Sequence, residues 1–100
     1  MVVQRITLFK VSSADYVPTI TAEYDKIPSA VKDGKHYVLS CKASETYEDK
    51  SSEGFNFAAR MSFATLEDMN FYQDKCSAHQ ALKTVVIPLV AGRMTVYWEE

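Results

Sequence analysis

Two segments of the chain alternate between apolar and other residues, and this period of two predicts β-strands. In the first segment Ile6 and Leu8 fall on one face, opposite a row that contains Arg5. In the second segment every other position from Phe55 to Phe63 is apolar. Two shorter stretches are rich in apolar and β-branched residues. Strands are therefore predicted at residues 2–10, 36–43, 55–63 and 93–98.

The region after the first strand has apolar residues at spacings of three and four, which is typical of an amphipathic helix. We predict this helix over residues 16–27. Ser12, Ser13 and Asp15 offer N-cap oxygens, and Pro18 is accommodated if Asp15 is the cap. Pro18 then lies in the first turn, where no intrahelical donor is lost. Asp33-Gly34 predicts a turn, and the polar residues 44–54 predict a solvated loop.

The region after the third strand predicts a second helical region that is broken in two. Thr65 has the position of an N-cap for a helix over residues 66–73. Ser77 is a second cap candidate, and Gly92 is expected to end the helix that follows. The predicted apolar stripe of that helix consists of Ala78, Ala81, Leu82, Val85 and Leu89.

The element order β-α-β-β-α-β predicts a ferredoxin-like α+β fold, in which helices cover one face of a four-stranded antiparallel sheet. The other face then lies open, with Ile6, Leu8 and Ala58 among its polar residues. A small domain usually covers such a half-apolar face. We therefore expect a homodimer in which two open sheet faces stack across a two-fold axis.

The composition narrows the class of protein. One hundred residues with 47% hydrophobic content fit one folded domain over residues 1–100. The formal net charge of −2 gives no drive toward nucleic acid or an anionic membrane. Two cysteines, Cys41 and Cys76, indicate free thiols in a reducing compartment, so a cytoplasmic location is expected. Without a ligand cluster or a Gly-rich phosphate loop, no metal or cofactor is expected.

Three stretches carry a family resemblance: TLFK in the first strand, GFNFAARMSF in the third, and FYQDKCSAHQALKTVVIPLV near the end. Together they resemble the stress-responsive A/B barrel family, also called Dabb or dimeric α+β barrel proteins. The resemblance spans nearly the whole chain. It implies a dimeric α+β barrel built from the ferredoxin-like fold. It does not specify one activity, because one fold hosts many activities.

One branch of that family consists of plant polyketide cyclases, in which a His and a Tyr transfer protons during an aldol closure. The resemblance places this catalytic pair at His79 and Tyr72. Because the link between them is one residue longer here, Phe71 competes for the Tyr72 position. Two further pocket histidines of the cyclases correspond to Arg5 and Phe57 in this chain.

The candidate residues have structural as well as functional interpretations. His79 suits general base catalysis, but it can equally lock the link between two helices. Arg5 lies on the same strand face as Phe9. It can bind a carboxylate or enolate of a ligand, form an ion pair with Glu23 or Asp74, or sit at a solvated rim. Aromatic side chains that can line a ligand cavity or simply fill the core include Phe9, Phe57 and Phe71.

Two functions follow as hypotheses. In the first, the protein binds or cyclises a small apolar or aromatic, polyketide-like ligand in a pocket between sheet and helices, with His79 as base. In the second, it is a non-catalytic, stress-related dimer with a filled core. The first requires a cavity of roughly 300 Å³ or more that His79 reaches.

Overall fold

The structure is a computed structural model that describes residues 1–100. Four of its strands form one antiparallel sheet in the order β4-β5-β1-β6, and α-helices cover one face of it. This arrangement confirms the ferredoxin-like prediction. The elements along the chain are β1 (Val3–Val11), α1 (Val17–Asp25), β2 (Val31–Lys32), β3 (Lys35–His36), β4 (Val38–Glu45), β5 (Phe57–Phe63), α2 (Leu66–Asp74), α3 (Ser77–Val86) and β6 (Val90–Glu99).

The central strands β1 and β5 follow the predicted alternation. On β1 every odd-numbered residue from Val3 to Val11 is buried, and the residues between them are half-exposed. The partners of this row on β5 are buried as well: Phe57, Ala59, Met61 and Phe63. Phe55 was expected at the start of this strand, but it lies before β5 and is half-buried. Arg5 and Thr7 therefore face the helices, inside the protein.

The first helix begins differently from the prediction. A 3-10 turn over Ala14–Tyr16 precedes α1, and the Ser13 side chain caps it by accepting from the Asp15 backbone N–H. Asp15 is thus not the cap, and Ser13, another of the cap candidates, takes this role for the 3-10 turn. Pro18 does lie in the first turn of α1. The predicted stripe is correct, because Ile20, Tyr24 and Ile27 are buried; the last of them lies in the 3-10 turn Ile27–Ser29 that follows α1.

The second helical region is broken in two, as predicted, but α3 buries a different face from the predicted one and is shorter than expected. Thr65 caps α2, since its Oγ1 accepts from the Asp68 backbone N–H at 3.1 Å. The residue at the N-cap of α3 is Cys76, so Ser77 is already helical. The residues of α3 that are buried are His79, Leu82 and Val86, whereas Ala81 of the predicted stripe is exposed.

The end of α3 also corrects the prediction. A 3-10 turn over Ile87–Leu89, with Pro88 near its start, ends the helical region before Gly92. Gly92 lies inside β6. The side chain of Lys10 passes close to it: a Cβ at Gly92 would lie 3.2 Å from the Lys10 Cδ. The final strand is therefore longer than the predicted 93–98.

Two loop regions differ from the sequence analysis in detail. The turn at Asp33-Gly34 joins β2 to β3, and both of its residues adopt positive φ angles of 53° and 77°. Such angles are required by the tight turns of β-hairpins, which favour Asp-Gly. The predicted second strand over 36–43 begins two residues later, as β4. β4 extends to Glu45, so the polar loop predicted over 44–54 begins two residues later than expected, and it contains a 3-10 turn over Lys50–Ser52.

The sheet face away from the helices is open, and β6 enlarges its apolar part. Antiparallel pairing places Val96 beside Ile6 and Met94 beside Leu8. Trp98 extends the same row, and Val96 is 51% exposed. We call this surface the open sheet face, and its apolar residues are Ile6, Leu8, Ala58, Met94, Val96 and Trp98.

None of the helices has the length and hydropathy needed to cross a membrane.

Candidate functional site

A cavity of about 220 Å³ lies between the helix-facing side of β1 and β6 and the inner side of α3. Its apolar wall consists of Phe9, Tyr24, Leu82, Val86 and Ile87. Its polar lining includes Arg5, Thr7, His79, Thr95 and, nearer the surface, Lys83 and Arg93. The cavity is smaller than the roughly 300 Å³ that the first hypothesis set as its minimum. It exceeds the roughly 150 Å³ cavity known to admit benzene, so a single-ring compound fits its volume.

The end of α2 fixes the His79 ring. Backbone carbonyls in the last turn of a helix lack intrahelical partners. The Tyr72 carbonyl is one of these, and it accepts from the His79 Nδ1 at 2.9 Å. Since a carbonyl can only accept, Nδ1 carries the proton and Nε2 keeps its lone pair. The side chain is 7% exposed and lines the cavity.

The surroundings of His79 keep its imidazole neutral. Burial lowers the pKa of His79 to about 4, and the positive charge of Arg5 acts in the same direction. The bond to the Tyr72 carbonyl works against this shift, because it favours the protonated ring. At neutral pH the ring is therefore an unprotonated base within the cavity wall.

Tyr72 lies behind His79 rather than in the cavity. Its ring stacks on the His79 ring with 4.1 Å between centroids, and the Arg5 Cζ lies 5.0 Å from the Tyr72 ring centroid. Tyr72 is fully buried and does not line the cavity. Its hydroxyl is buried without a hydrogen-bond partner, and burial raises the pKa of this phenol. The contacts of Tyr72 thus hold His79 and Arg5 in place.

Arg5 is a buried cation without a carboxylate partner. Its Nε donates to Gln73 Oε1 at 3.2 Å, and its Nη1 donates to Thr7 Oγ1 at 3.1 Å. Glu23, one of the acids considered for an ion pair, instead binds Lys26 at 2.7 Å. Asp74 makes no ion pair with Arg5 either. Burial lowers the pKa of Arg5, but a guanidinium stays charged in proteins.

The three aromatic candidates lie at different depths. Phe9 lines the cavity. Phe57 is fully buried beneath it, with 6.3 Å between the two ring centroids. Phe71 lies on the other side of α2, where its ring meets the Tyr37 ring edge-on at 5.3 Å. The structure therefore brings Arg5, Phe9 and His79 together around the cavity and leaves Phe57 and Phe71 outside its lining.

Several lining residues were missed, although the sequence holds signals for some of them. Lys83 lies four residues after His79, so both share one helix face. Arg93 lies opposite Phe9 in the antiparallel register, which could be inferred only with the strand pairing known. Gln73 was missed as well and is brought in by α2, whereas Tyr24 of α1 belongs to the aromatic residues that the sequence offers as a cavity lining. No group of three His, Cys, Asp or Glu side chains has the geometry of a metal site.

Comparison with known proteins gives independent support for the family. The family model described as Stress responsive A/B Barrel Domain matches residues 3–100. A protein of Gibberella zeae described as "Fusaristatin A biosynthesis cluster protein" is 30% identical over 99 residues, which cover 97% of this chain and 72% of that protein.

Solved structures share the fold at lower identity. A dimeric ferredoxin-like protein of unknown function from Thermobifida fusca superposes with a TM-score of 0.79 at 18% identity, covering 100% of this chain and 92% of that one. A hydroxynitrile lyase from Passiflora edulis superposes with a TM-score of 0.75 at 14% identity, covering 97% and 91%. At these identities the likeness extends to the fold alone.

Proposed function

The chain belongs to the stress-responsive A/B barrel domain family, and we propose that it is a homodimer that binds a compact apolar or aromatic ligand with an acidic or enolisable oxygen. The ligand occupies the cavity between β1, β6 and α3. The observation that carries this proposal is Arg5, a buried guanidinium in the cavity lining with no carboxylate partner. Burying an unpaired cation is costly unless an anion compensates it.

A bound β-keto compound would place His79 and Arg5 in complementary roles. The His79 Nε2 takes a proton from the carbon next to the carbonyl, the C–H electron pair becomes the enolate, and the enolate oxygen binds the Arg5 guanidinium. Such an enolate is the nucleophile of an aldol ring closure, which is the cyclase-like activity expected from the resemblance. In this role Tyr72 is a positioning residue, because its carbonyl holds the His79 Nδ1 proton.

A second candidate function is binding or association without catalysis. Three observations favour it. The cavity is small, at about 220 Å³, and the Tyr72 hydroxyl does not reach it. The low pKa of about 4 also makes His79 a weak base in the free protein.

A location in a reducing compartment such as the cytoplasm remains a prediction, with Cys41 and Cys76 both free thiols.

Benzoylacetate, an aromatic β-keto acid, separates these candidates. We expect it to raise the melting temperature of the wild-type protein, and Arg5→Met to reduce that shift. The control is Lys35→Met, because Lys35 is exposed on β3, outside both the cavity and the open sheet face. If benzoylacetate and a panel of aromatic acids leave the melting temperature unchanged, the ligand-binding proposal fails.

Catalysis is tested by deuterium exchange at the methylene group of benzoylacetate in D₂O, followed by proton NMR. Wild-type protein should accelerate this exchange, and His79→Gln should remove the acceleration while binding persists. His36→Gln is the control, since His36 is the other histidine and lies exposed on β3. Equal exchange with and without His79 would leave only the non-catalytic function.

The open sheet face is the structural reason to expect a homodimer, because it leaves large apolar side chains exposed on a small domain. We propose that two copies cover this face mutually. Sedimentation of the wild-type protein should give twice the chain mass of 11.3 kDa. Val96→Lys should yield monomers, whereas Val31→Lys should not, because Val31 is equally exposed but lies in the β2–β3 hairpin. A wild-type monomer would refute the proposed assembly.

A further inference from the structure

The outer part of the cavity carries two more cations. Lys83 reaches it from α3 and Arg93 from β6. Neither forms an ion pair, because the salt bridges of the chain involve only Lys26 and Lys32 as cations. No Asp or Glu is among the residues that line the cavity. The lining thus has three basic side chains and no acidic one, although the chain as a whole carries a net charge of −2.

These cations lie at two ends of the cavity rather than in one cluster. On the sheet, Arg5 is paired with Tyr97 and Arg93 with Phe9. The positions of the two arginines are therefore four residues apart along adjacent strands, which is about 13 Å at the usual rise per residue. Between them, the hydroxyls of Thr7 and Thr95 are hydrogen-bonded to each other at 2.8 Å. The arginine at the inner end is buried, and the one at the outer end is exposed.

We propose that the ligand carries two acidic groups at opposite ends of an apolar or single-ring body. One acid binds Arg5 at the inner end, and the other binds Lys83 and Arg93 at the outer end. The apolar body lies against Phe9, Leu82 and Val86. This inference rests on the proposed ligand-binding function and narrows its ligand to a two-ended dianion.

Three probes that share a benzene ring test this geometry by calorimetry. Benzoate has one acid, terephthalate has two at opposite ends, and phthalate has two on adjacent carbons. Wild-type protein should bind terephthalate about three- to thirtyfold more tightly than benzoate, as expected for one or two partly exposed ion pairs. Phthalate should gain much less, because its second acid points toward the inner end. Added salt should weaken the terephthalate advantage.

The double variant Lys83→Gln, Arg93→Gln should erase the advantage of terephthalate over benzoate, while benzoate binding stays dependent on Arg5. Lys35→Gln with Lys75→Gln removes the same charge outside both the cavity and the open sheet face, and is the matched control. If benzoate binds in an Arg5-dependent way but terephthalate gains nothing, this inference fails while the proposed function stands. An advantage that survives the double variant, or an equal gain for phthalate, also overturns it. If no probe binds, both proposals fall.

Discussion

Replacing His79 by Gln should remove part of the acid sensitivity of folding. A glutamine amide can still donate to the Tyr72 carbonyl, but it does not titrate. In the folded protein burial and the charge of Arg5 lower the pKa of His79 to about 4, from the ordinary value of 6.5. Between these two values the unfolded chain binds the proton and the folded one does not. Stability contributed by the neutral ring is therefore complete above pH 6.5 and is lost as the pH falls toward 4.

The size of this effect follows from the same two values. Each unit of difference between the folded and unfolded pKa corresponds to about 1.4 kcal/mol in the free energy of unfolding. The full titration of His79 therefore gives about 3 kcal/mol. The ring has some contact with solvent in the cavity, so about 2 kcal/mol is the more realistic figure between pH 7.5 and pH 4.5. The free energy of unfolding of wild-type protein should fall by this much more than that of His79→Gln.

Urea unfolding at pH 7.5, 6.0 and 4.5 measures these differences, at one fixed protein concentration because self-association would add to the stability. His36→Gln should behave like wild type, since His36 is exposed on β3. Proton NMR of the two histidine rings gives an independent readout. Parallel pH profiles for wild type and His79→Gln, or a His79 ring that titrates near pH 6.5, would refute the burial argument.

Three further predictions concern local structure and reactivity. Thr65→Ala should cost about 1 kcal/mol in urea unfolding by removing the cap bond to Asp68, and an unchanged midpoint would contradict the capping role. Gly34→Ala should lower stability by about 1 kcal/mol through its positive φ of 77° alone, since no atom lies within 4 Å of the added Cβ; a thermal melt equal to wild type would argue against the hairpin turn. Burial raises the pKa of the Cys41 thiol to about 11, so iodoacetamide at pH 7.5 should alkylate it far more slowly in folded than in urea-unfolded protein; equal rates by intact mass would show that this thiol is not shielded.

The sheet was predictable because its strands bury one face only. Alternation in β1 and β5 reports this directly, and it assigns Arg5 to the same strand face as Phe9, which is the buried face. The phase of α3 was not predictable in the same way. His79 takes a core position that hydropathy assigns to an apolar residue, because the unpaired Tyr72 carbonyl at the end of α2 satisfies its ring. The Tyr72 carbonyl is free to accept this hydrogen bond only because α2 ends there, and the sequence of α3 alone does not show this.

The cavity was predictable only in part, for a related reason. Arg5 and Phe9 share a strand face, and His79 was found through the family resemblance. Lys83 and Arg93 come from an adjacent helix and from an edge strand more than eighty residues after β1 begins. Their convergence depends on the packing of α3 over the sheet, which local sequence patterns do not encode.

The pairing of a neutral histidine with an unpaired buried arginine has a consequence for how the proposed site works. The charge of Arg5 is the second cause of the low pKa of His79, after burial. We expect an anion bound to Arg5 to offset that charge and so to raise the pKa of His79. By linkage, the protonated ring in turn favours the bound anion. On this proposal, His79 is a stronger base with an acidic ligand bound than in the empty cavity.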